Sequence, residues 1–101
     1  MSRRLKLTED GFTQDQGWWT TKRLRWKDIR RVIGIKQDMI TYEDCFLMLA
    51  SNTTNITVSS ADEGFGPFEV EMLRHLEDFP ADWEPIIQAE DLNVRVLLWS
   101  K

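Results

Sequence analysis

The chain of 101 residues is poor in the residues that make disulfides, metal sites and membrane spans. Cys45 is its one cysteine and His75 its one histidine. A lone cysteine excludes an intramolecular disulfide, and a chain without a set of Cys and His ligands at metal spacing is not expected to bind zinc. No stretch approaches the roughly 18 consecutive apolar residues of a membrane span. The basic N-terminal residues precede no apolar run, so we expect no signal peptide and predict a reducing, cytoplasmic location.

The same scarcity leaves little material for catalysis. His75 has carboxylates at i−4 and i+3 on a predicted helix, a pattern typical of a solvated histidine. Cys45 begins an apolar strand and is interpreted as a small core residue instead of a nucleophile. Gly64-Phe65-Gly66 lacks the spacing and the lysine of a phosphate loop. We predict no catalytic residue, cofactor or metal, and an enzyme built around Asp62, Glu63 or His75 is the least favoured hypothesis.

What the chain does contain is enough apolar material for one core. Apolar residues make up 42% of the chain and charged residues 30%, which are ordinary values for a soluble globular domain. A length of 101 residues fits one domain and leaves no room for two. We therefore predict a single domain over residues 1–101.

Charge is distributed unevenly along the chain. Residues 1–36 hold ten basic and four acidic side chains, a balance of +6, whereas residues 37–101 hold three and thirteen, a balance of −10; together they give the net charge of −4. Such a division can indicate a polyanionic partner. It is also explained if the basic and acidic halves pack against each other within the domain, and we favour this second explanation.

Alternation of apolar and polar residues predicts the first strands. Residues 4–8 place Leu5 and Leu7 on one face, and Glu9-Asp10-Gly11 predicts a turn into a second strand that begins at Phe12. These two strands should form a hairpin. Further strands are predicted at residues 18–25, 30–37, 45–50, 56–59 and 92–100.

The middle of the chain carries three more specific signals. Trp26 and Ile29 lie three residues apart, so both point inward from a predicted one-turn element. Gly34, inside a strand, indicates a bulge or a close approach of another group to the backbone. Residues 45–50 are apolar on both faces, as in a strand covered on both sides, and should pair with residues 56–59 as a hairpin.

Helical spacing is confined to the later part of the chain. Apolar residues recur at three- and four-residue steps: Phe65, Phe68, Met72, Leu76 and Phe79. This spacing predicts a main helix at residues 67–78, ended by Pro80, and Asp82 is expected to cap a short helix at residues 83–89. Antiparallel strands with helices on one side define an α+β domain. We predict a bent antiparallel sheet of six to seven strands, a half-open barrel, with the main helix packed on it.

Two stretches resemble small bacterial pleckstrin-homology-like domains of unknown function. W-K-D-I-R-R-V-I-G-I-K at 26–36 is similar to the way their tryptophan-plus-isoleucine strand begins, and G-F-G-P-F-E-V-E-M-L at 64–73 is similar to the start of their helix. The resemblance covers about the middle half of the chain and implies the half-open barrel. The strand predicted after the helices, at residues 92–100, departs from the usual domain, which ends with its helix.

The segment 17–31, G-W-W-T-T-K-R-L-R-W-K-D-I-R-R, holds three of the five tryptophans and six of the thirteen basic residues. One interpretation is an anion or nucleic-acid site, with rings stacked on bases and cations on phosphates. The other places Trp18 and Leu24 on the core face, with Trp26 pointing inward from its one-turn element and Trp19 partly covered by a neighbouring strand. The cations then lie in solvent, and some of them pair with the acidic helix. We favour the second, because tryptophan is usually largely buried and a pI near 4.9 argues against non-specific polyanion binding.

The function predicted from these observations is non-catalytic. Eleven aromatic residues are more than one small core is expected to hide, and exposed ones would mark a protein-binding patch. We predict a cytoplasmic protein-interaction module, such as an adaptor, inhibitor or immunity-type protein, whose partner is another protein or a second copy paired at the strand 92–100. The alternative is an anion or nucleic-acid binder that uses residues 18–31. The predicted interaction surface comprises Trp19, Lys22, Arg23, Arg25, Arg30 and Trp99.

Overall fold

Two antiparallel sheets and two helices make up the fold in a computed structural model, which describes residues 3–17, 20–38, 43–90 and 94–101. The first sheet has the order β1-β2-β3, with β1 at Arg4–Leu7, β2 at Gly11–Asp15 and β3 at Thr21–Arg25. The second has the order β6-β5-β4-β7, with β4 at Arg31–Asp38, β5 at Glu43–Ala50, β6 at Asn55–Ser59 and β7 at Arg95–Ser100. Helices α1 (Phe65–His75) and α2 (Trp83–Gln88) lie between β6 and β7 in the chain.

Three predictions are confirmed: the α+β class, the number of strands, and the presence of one main helix and one short helix. The expected single bent sheet is instead two sheets, and the described strands form no closed barrel. The break falls at a 3₁₀ turn, Trp26–Asp28, between β3 and β4. Trp26 and Ile29 are both buried at this turn, as predicted. After the turn the chain continues as β4, which pairs with β5 and β7 and not with β3.

The first sheet contains the predicted hairpin, with Leu7 of β1 opposite Phe12 of β2. Leu5 is buried, whereas Leu7, predicted on the same face of the strand, is 43% exposed. The backbone N–H of Leu5 donates to the carbonyl of Glu63 at 2.7 Å, which covers that end of β1. Leu7 lies at the other end of the same edge strand, beyond this cover.

The second sheet contains the other predicted hairpin, in which Leu47 of β5 lies opposite Val58 of β6. Side chains of β4 alternate between two faces: Val32 and Lys36 are buried with Gly34 on the inner face, whereas the isoleucines between them lie on the outer face. Strand β7 pairs with β4 and forms one edge of the sheet. A strand therefore does follow the helices, as the sequence predicts.

Both helices differ from their predicted limits, and α2 also differs in its cap. Helix α1 begins at Phe65, because Gly64 takes a left-handed conformation (φ 85°) in which the chain turns directly into the helix. Asp82 makes no side-chain capping bond, because its backbone (φ −96°, ψ 32°) lacks the extended conformation of an N-cap. The indole Nε1 of Trp83 instead donates to Glu69 Oε2 at 2.8 Å and fixes α2 to α1.

One aromatic cluster joins the first sheet, the 3₁₀ turn and α1. The ring centroid of Phe12 lies 4.7 Å from that of Phe68 and 5.2 Å from that of Trp26, and all three residues are buried. The inner face of the second sheet completes this core. Gln14 of β2 is fully buried and its Nε2 donates to the carbonyl of Thr57 in β6 at 2.8 Å, which ties the two sheets together.

Gly34 of β4 is in close contact with Ile87 of α2, as its position inside a strand predicts. A Cβ there would lie 2.4 Å from Ile87 Cδ1 and 3.0 Å from Leu98 Cδ1. We expect Gly34→Ala to lower the free energy of unfolding by about 1–3 kcal/mol in urea titrations followed by tryptophan fluorescence. Combined with Ile87→Ala, it should cost less than the sum of the two single changes.

Gly66→Ala is the matched control for this substitution. No atom lies within 4 Å of a Cβ at Gly66, and alanine is the better helix former, so this change should not destabilise the protein. A Gly34→Ala protein as stable as the wild type would contradict the close packing of α2 on β4.

Lys36 holds the C-terminal end of α2. Its Nζ donates to the carbonyls of Gln88 and Glu90, each at 2.9 Å, from a buried position on the inner face of β4. Lys36→Met keeps the aliphatic stem but removes both bonds, and should lower the free energy of unfolding by about 1–3 kcal/mol. Lys22→Met is the control, because Lys22 Nζ makes one exposed bond, at 3.2 Å to the carbonyl of Asn55, and its loss should cost about 0.5 kcal/mol or less. If both substitutions lowered the free energy of unfolding by the same amount, the two bonds of Lys36 would not stabilise the position of α2.

Candidate interaction surface

Three of the predicted surface residues line one hollow of about 620 Å³, here called the arginine hollow: Arg23, Arg25 and Arg30. Residues 51–54, the turn between β5 and β6, form its other wall. The backbone N–H of Arg30 donates to the carbonyl of Ala50 at 2.7 Å, which brings the end of the 3₁₀ turn beside this wall. The hollow is therefore built by the same change of direction that separates the two sheets.

The arginine hollow is basic but partly neutralised. Arg25 Nε lies 2.9 Å from Asp28 Oδ2 in an exposed ion pair, and Asp10 also lines the hollow. Arg23 and Arg30 are exposed, and within the described ranges neither makes an ion pair or a side-chain hydrogen bond. Three arginines against two aspartates leave one net positive charge, carried by two guanidinium groups that are open to an anion.

The turn opposite these arginines contributes few donors. The backbone N–H groups of Thr53 and Thr54 both donate to Ser51 Oγ, at 3.2 and 3.0 Å, so they are occupied within the turn. An anion in the hollow would therefore contact the arginine side chains, because the amides of Thr53 and Thr54 are not free to bind it as the amides of phosphate-binding loops are.

The other predicted surface residues lie elsewhere. Lys22 is half-buried and donates to the carbonyl of Asn55. Trp99 packs against the core, and its Nε1 donates to the carbonyl of Glu77 at 2.7 Å, so its ring has a structural role. Trp19 and Trp18 lie outside the described residues. The third tryptophan of the segment, Trp26, is buried and stacks on His75 at 5.4 Å between ring centroids, as the favoured interpretation predicts.

The two halves of the chain pack against each other, as expected: β2 of the basic half shares one core with β6 and α1 of the acidic half. Among the described residues, one ion pair joins the halves, Arg4 Nε to Glu63 Oε2 at 3.2 Å, and both side chains are more than half exposed. Other ion pairs, such as Lys6 with Asp15, join residues of the same half. Between described residues, ion pairing across the two halves is therefore limited to Arg4 and Glu63.

Sequence reasoning missed a second surface, the outer face of the second sheet. Five apolar side chains lie on it in two adjacent cross-strand rows, Met48, Ile33 and Leu97 in one and Phe46 and Ile35 in the other. Leu97 is 61% exposed, and the other four are half-buried and lie outside the core cluster. We call these five residues the outer apolar face.

The outer apolar face has no helix over it in the described part of the chain. Ile87 of α2 packs on Gly34, on the inner side of β4, and Phe68 of α1 packs on the aromatic core. The prediction that β5 is covered on both sides was therefore right for its Leu47 and Leu49 face alone. The signal that could have indicated the open face is the second apolar stripe of β5, together with the pair Ile33 and Ile35 in β4.

Basic residues flank the outer apolar face where it meets the free edge of the sheet. The register places Ile33 opposite Leu97, with Arg95 opposite Ile35 on one side of this pair and Arg31 opposite Ser100 on the other. A smaller hollow of about 280 Å³, lined by Arg31, Leu97 and Ser100, shares Arg30 with the arginine hollow. The predicted arginines and the outer apolar face are therefore neighbouring parts of one surface.

The sites considered for other chemistry are accounted for structurally. His75 Nε2 lies 3.2 Å from Glu71 Oε2, and the imidazole ring stacks on Trp26. His75 lines neither of the two hollows. Cys45 is buried. Within the described residues no three His, Cys, Asp or Glu side chains are grouped as metal ligands. None of the described helices has the length and apolar character needed to cross a membrane.

Comparison with known proteins gives no match: no family model, no curated protein and no solved structure matches the chain. Function must therefore be argued from the surface of this molecule.

Proposed function

We propose that this chain is a non-catalytic protein-interaction module that binds its partner through the outer apolar face. The observation that carries the proposal is the side-by-side placement of five large apolar side chains on strands whose other face builds the core. Contiguous apolar surface with a polar rim is typical of binding sites, and Phe, Met and Arg are enriched at interfaces. Phe46, Met48 and Arg31 supply that composition here.

An adaptor, inhibitor or immunity-type protein of the cytoplasm is the kind of role we propose for such a module. We also propose the pleckstrin-homology-like half-open barrel as the nearest architectural description. Two antiparallel sheets that share one core, with the main helix on one side, support it. Strand β7 differs from the usual domain of this kind, which ends with its helix, because β7 follows the helices and pairs with β4.

Leu97→Glu tests the proposed function. Leu97 is the most exposed residue of the outer apolar face, and a carboxylate there would have to be desolvated when a partner covers the face. We expect immobilised wild-type protein to retain specific proteins from a lysate of the source cells, and Leu97→Glu to lose them, by quantitative mass spectrometry. Val70→Glu is the matched control, because Val70 is similarly exposed, at 64%, on α1.

The control decides what the loss means. Proteins retained by wild type and by Val70→Glu, but not by Leu97→Glu, would support binding through the outer apolar face. The same set retained by all three proteins would contradict it. Equal urea midpoints for the three proteins would exclude unfolding as the cause.

An anion or nucleic-acid binder that uses residues 18–31 is the second candidate, and the arginine hollow is the observation that favours it. If it holds, a labelled single-stranded oligonucleotide should bind in fluorescence anisotropy. With two contacts, from Arg23 and Arg30, the affinity should fall with a log–log salt slope of about −1.4 between roughly 50 and 200 mM salt. Arg23→Ala with Arg30→Ala should abolish binding, and Arg74→Ala on α1 should retain it. Absence of binding at the lower salt concentration removes this candidate.

A further inference from the structure

We infer that the free edge of β7 binds an extended segment of the partner protein with the pattern acidic-x-apolar-x-acidic, which adds a fifth strand to the second sheet. The inference rests on the proposed function, because the added strand would extend the outer apolar face. It names the partner's chemistry and the register of binding, which the proposed function leaves open.

The hydrogen-bonding groups of β7 provide the first support. The backbone N–H of Lys36 donates to the carbonyl of Val94 at 3.1 Å, and that of Lys101 to the carbonyl of Arg30 at 2.8 Å. In an antiparallel strand, successive residues direct their backbone N–H and C=O groups alternately to one neighbouring strand and to the other. Because the carbonyl of Val94 points to β4, the N–H and C=O groups of Arg95 and Leu97 are directed away from β4. Within the described ranges β7 has one strand neighbour, and these groups are therefore in place for an incoming strand.

The side-chain rows define what that strand would carry. A residue beside Leu97 would extend the row that runs through Ile33 and Met48, which favours an apolar side chain. Residues two positions to either side would lie on the same face: one beside Arg95, and the other near Ser100, past the bulge at which β7 has one extra residue between Leu97 and Trp99, with Arg31 one strand further in. Acidic side chains suit both ends, and a pattern symmetrical about its apolar centre fits a parallel or an antiparallel strand.

The two flanking arginines are available for this contact. Arg31 and Arg95 are exposed, and in the part of the chain that the structure describes neither has an ion pair or a side-chain hydrogen bond. Arg95 would be at a cross-strand position to the added strand, where opposite charges stabilise the pairing and like charges destabilise it, whereas Arg31 lies one strand further in, beyond Ser100. The edge therefore selects acidic segments and disfavours basic ones.

A second copy of this chain is a poorer occupant of the edge. Residues 94–101, V-R-V-L-L-W-S-K, contain two basic residues and no acidic one. If β7 of one copy paired with β7 of another, Arg95, Lys101 and the neighbouring Arg31 of both copies would lie at one interface. Neither β7 strand would supply an acidic residue to balance them. Charge complementarity thus favours a different, acidic strand.

A short synthetic peptide tests the inference directly. The probe is fluorescein-labelled T-D-T-I-T-D-T, with T-K-T-I-T-K-T and T-D-T-S-T-D-T as controls, titrated with the full chain in fluorescence anisotropy at low salt. We expect the first peptide to bind, and the lysine and serine versions each to bind at least about tenfold more weakly, because they lose the charge and the apolar contacts respectively.

Charge reversal supplies the matched variants. Arg95→Glu should lower the affinity for the acidic peptide by at least about tenfold. It should raise the affinity for the lysine peptide, because the edge then carries the opposite charge. Arg23→Glu, in the arginine hollow, should leave the affinity for the acidic peptide unchanged within about twofold, because Arg23 lies away from the edge. Equal effects of Arg95→Glu and Arg23→Glu would reduce binding to general charge attraction and overturn the inference.

Amide hydrogen exchange distinguishes strand addition from other contacts. Bound peptide should slow exchange at the amides of Arg95 and Leu97, which face the free edge, and change that of Val96 little, because it already faces β4. Peptide binding without this protection would overturn strand addition.

Two further outcomes would overturn the inference while leaving different conclusions. If no peptide binds but Leu97→Glu still loses partners from the lysate, the inference fails and the proposed function survives. If no peptide binds and sedimentation shows a dimer that Leu97→Glu dissociates, the occupant of the edge is a second copy.

Discussion

In the part of the chain that the structure describes, the elements outside the second sheet all pack on one side of that sheet, and this leaves the outer apolar face without a covering element. The aromatic contacts of Phe12, Trp26 and Phe68 hold the first sheet, the 3₁₀ turn and α1 together over the inner face of β4, β5 and β6. Helix α2 closes against the same face at Gly34. The described residues build one core and place no second layer on the other side of the sheet, so the outer apolar face is left as the other side of the core strands.

The core and the arginines are connected by the same turn. Trp26 enters the aromatic cluster, and the residues on either side of it, Arg25 and Lys27, are exposed. The chain then reaches Ile29 in the core and Arg30 at the surface, next to the turn that follows β5. Burying Trp26 and Ile29 therefore leaves Arg25, Lys27 and Arg30 exposed, and Arg30 lines the smaller hollow together with Leu97 of the outer apolar face.

Local patterns were sufficient to predict the parts of the fold that depend on neighbouring residues. The hairpins around residues 9–11 and 51–54, the inward pair Trp26 and Ile29 and the tight contact at Gly34 each have a short-range signal, in turn residues or spacing. The division into two sheets and the exposure of Leu7 have no such signal. Both depend on which distant segment covers a strand, and alternation within that strand does not contain this information.

Of the two candidate surfaces, only the arginine hollow was predictable from the sequence, for a related reason. Arg23, Arg25 and Arg30 lie close together in the sequence, whereas the outer apolar face combines β5, β4 and β7 through pairings between distant residues. Its electrostatics are also local: the chain carries −4 overall, yet the edge at Arg31 and Arg95 is basic. Screening over about 8–10 Å in physiological salt confines the influence of the distant acidic side chains, so a segment already at this edge meets mainly the two arginines. An acidic protein can in this way keep its own copies apart and still offer an acidic strand a favourable place on its sheet.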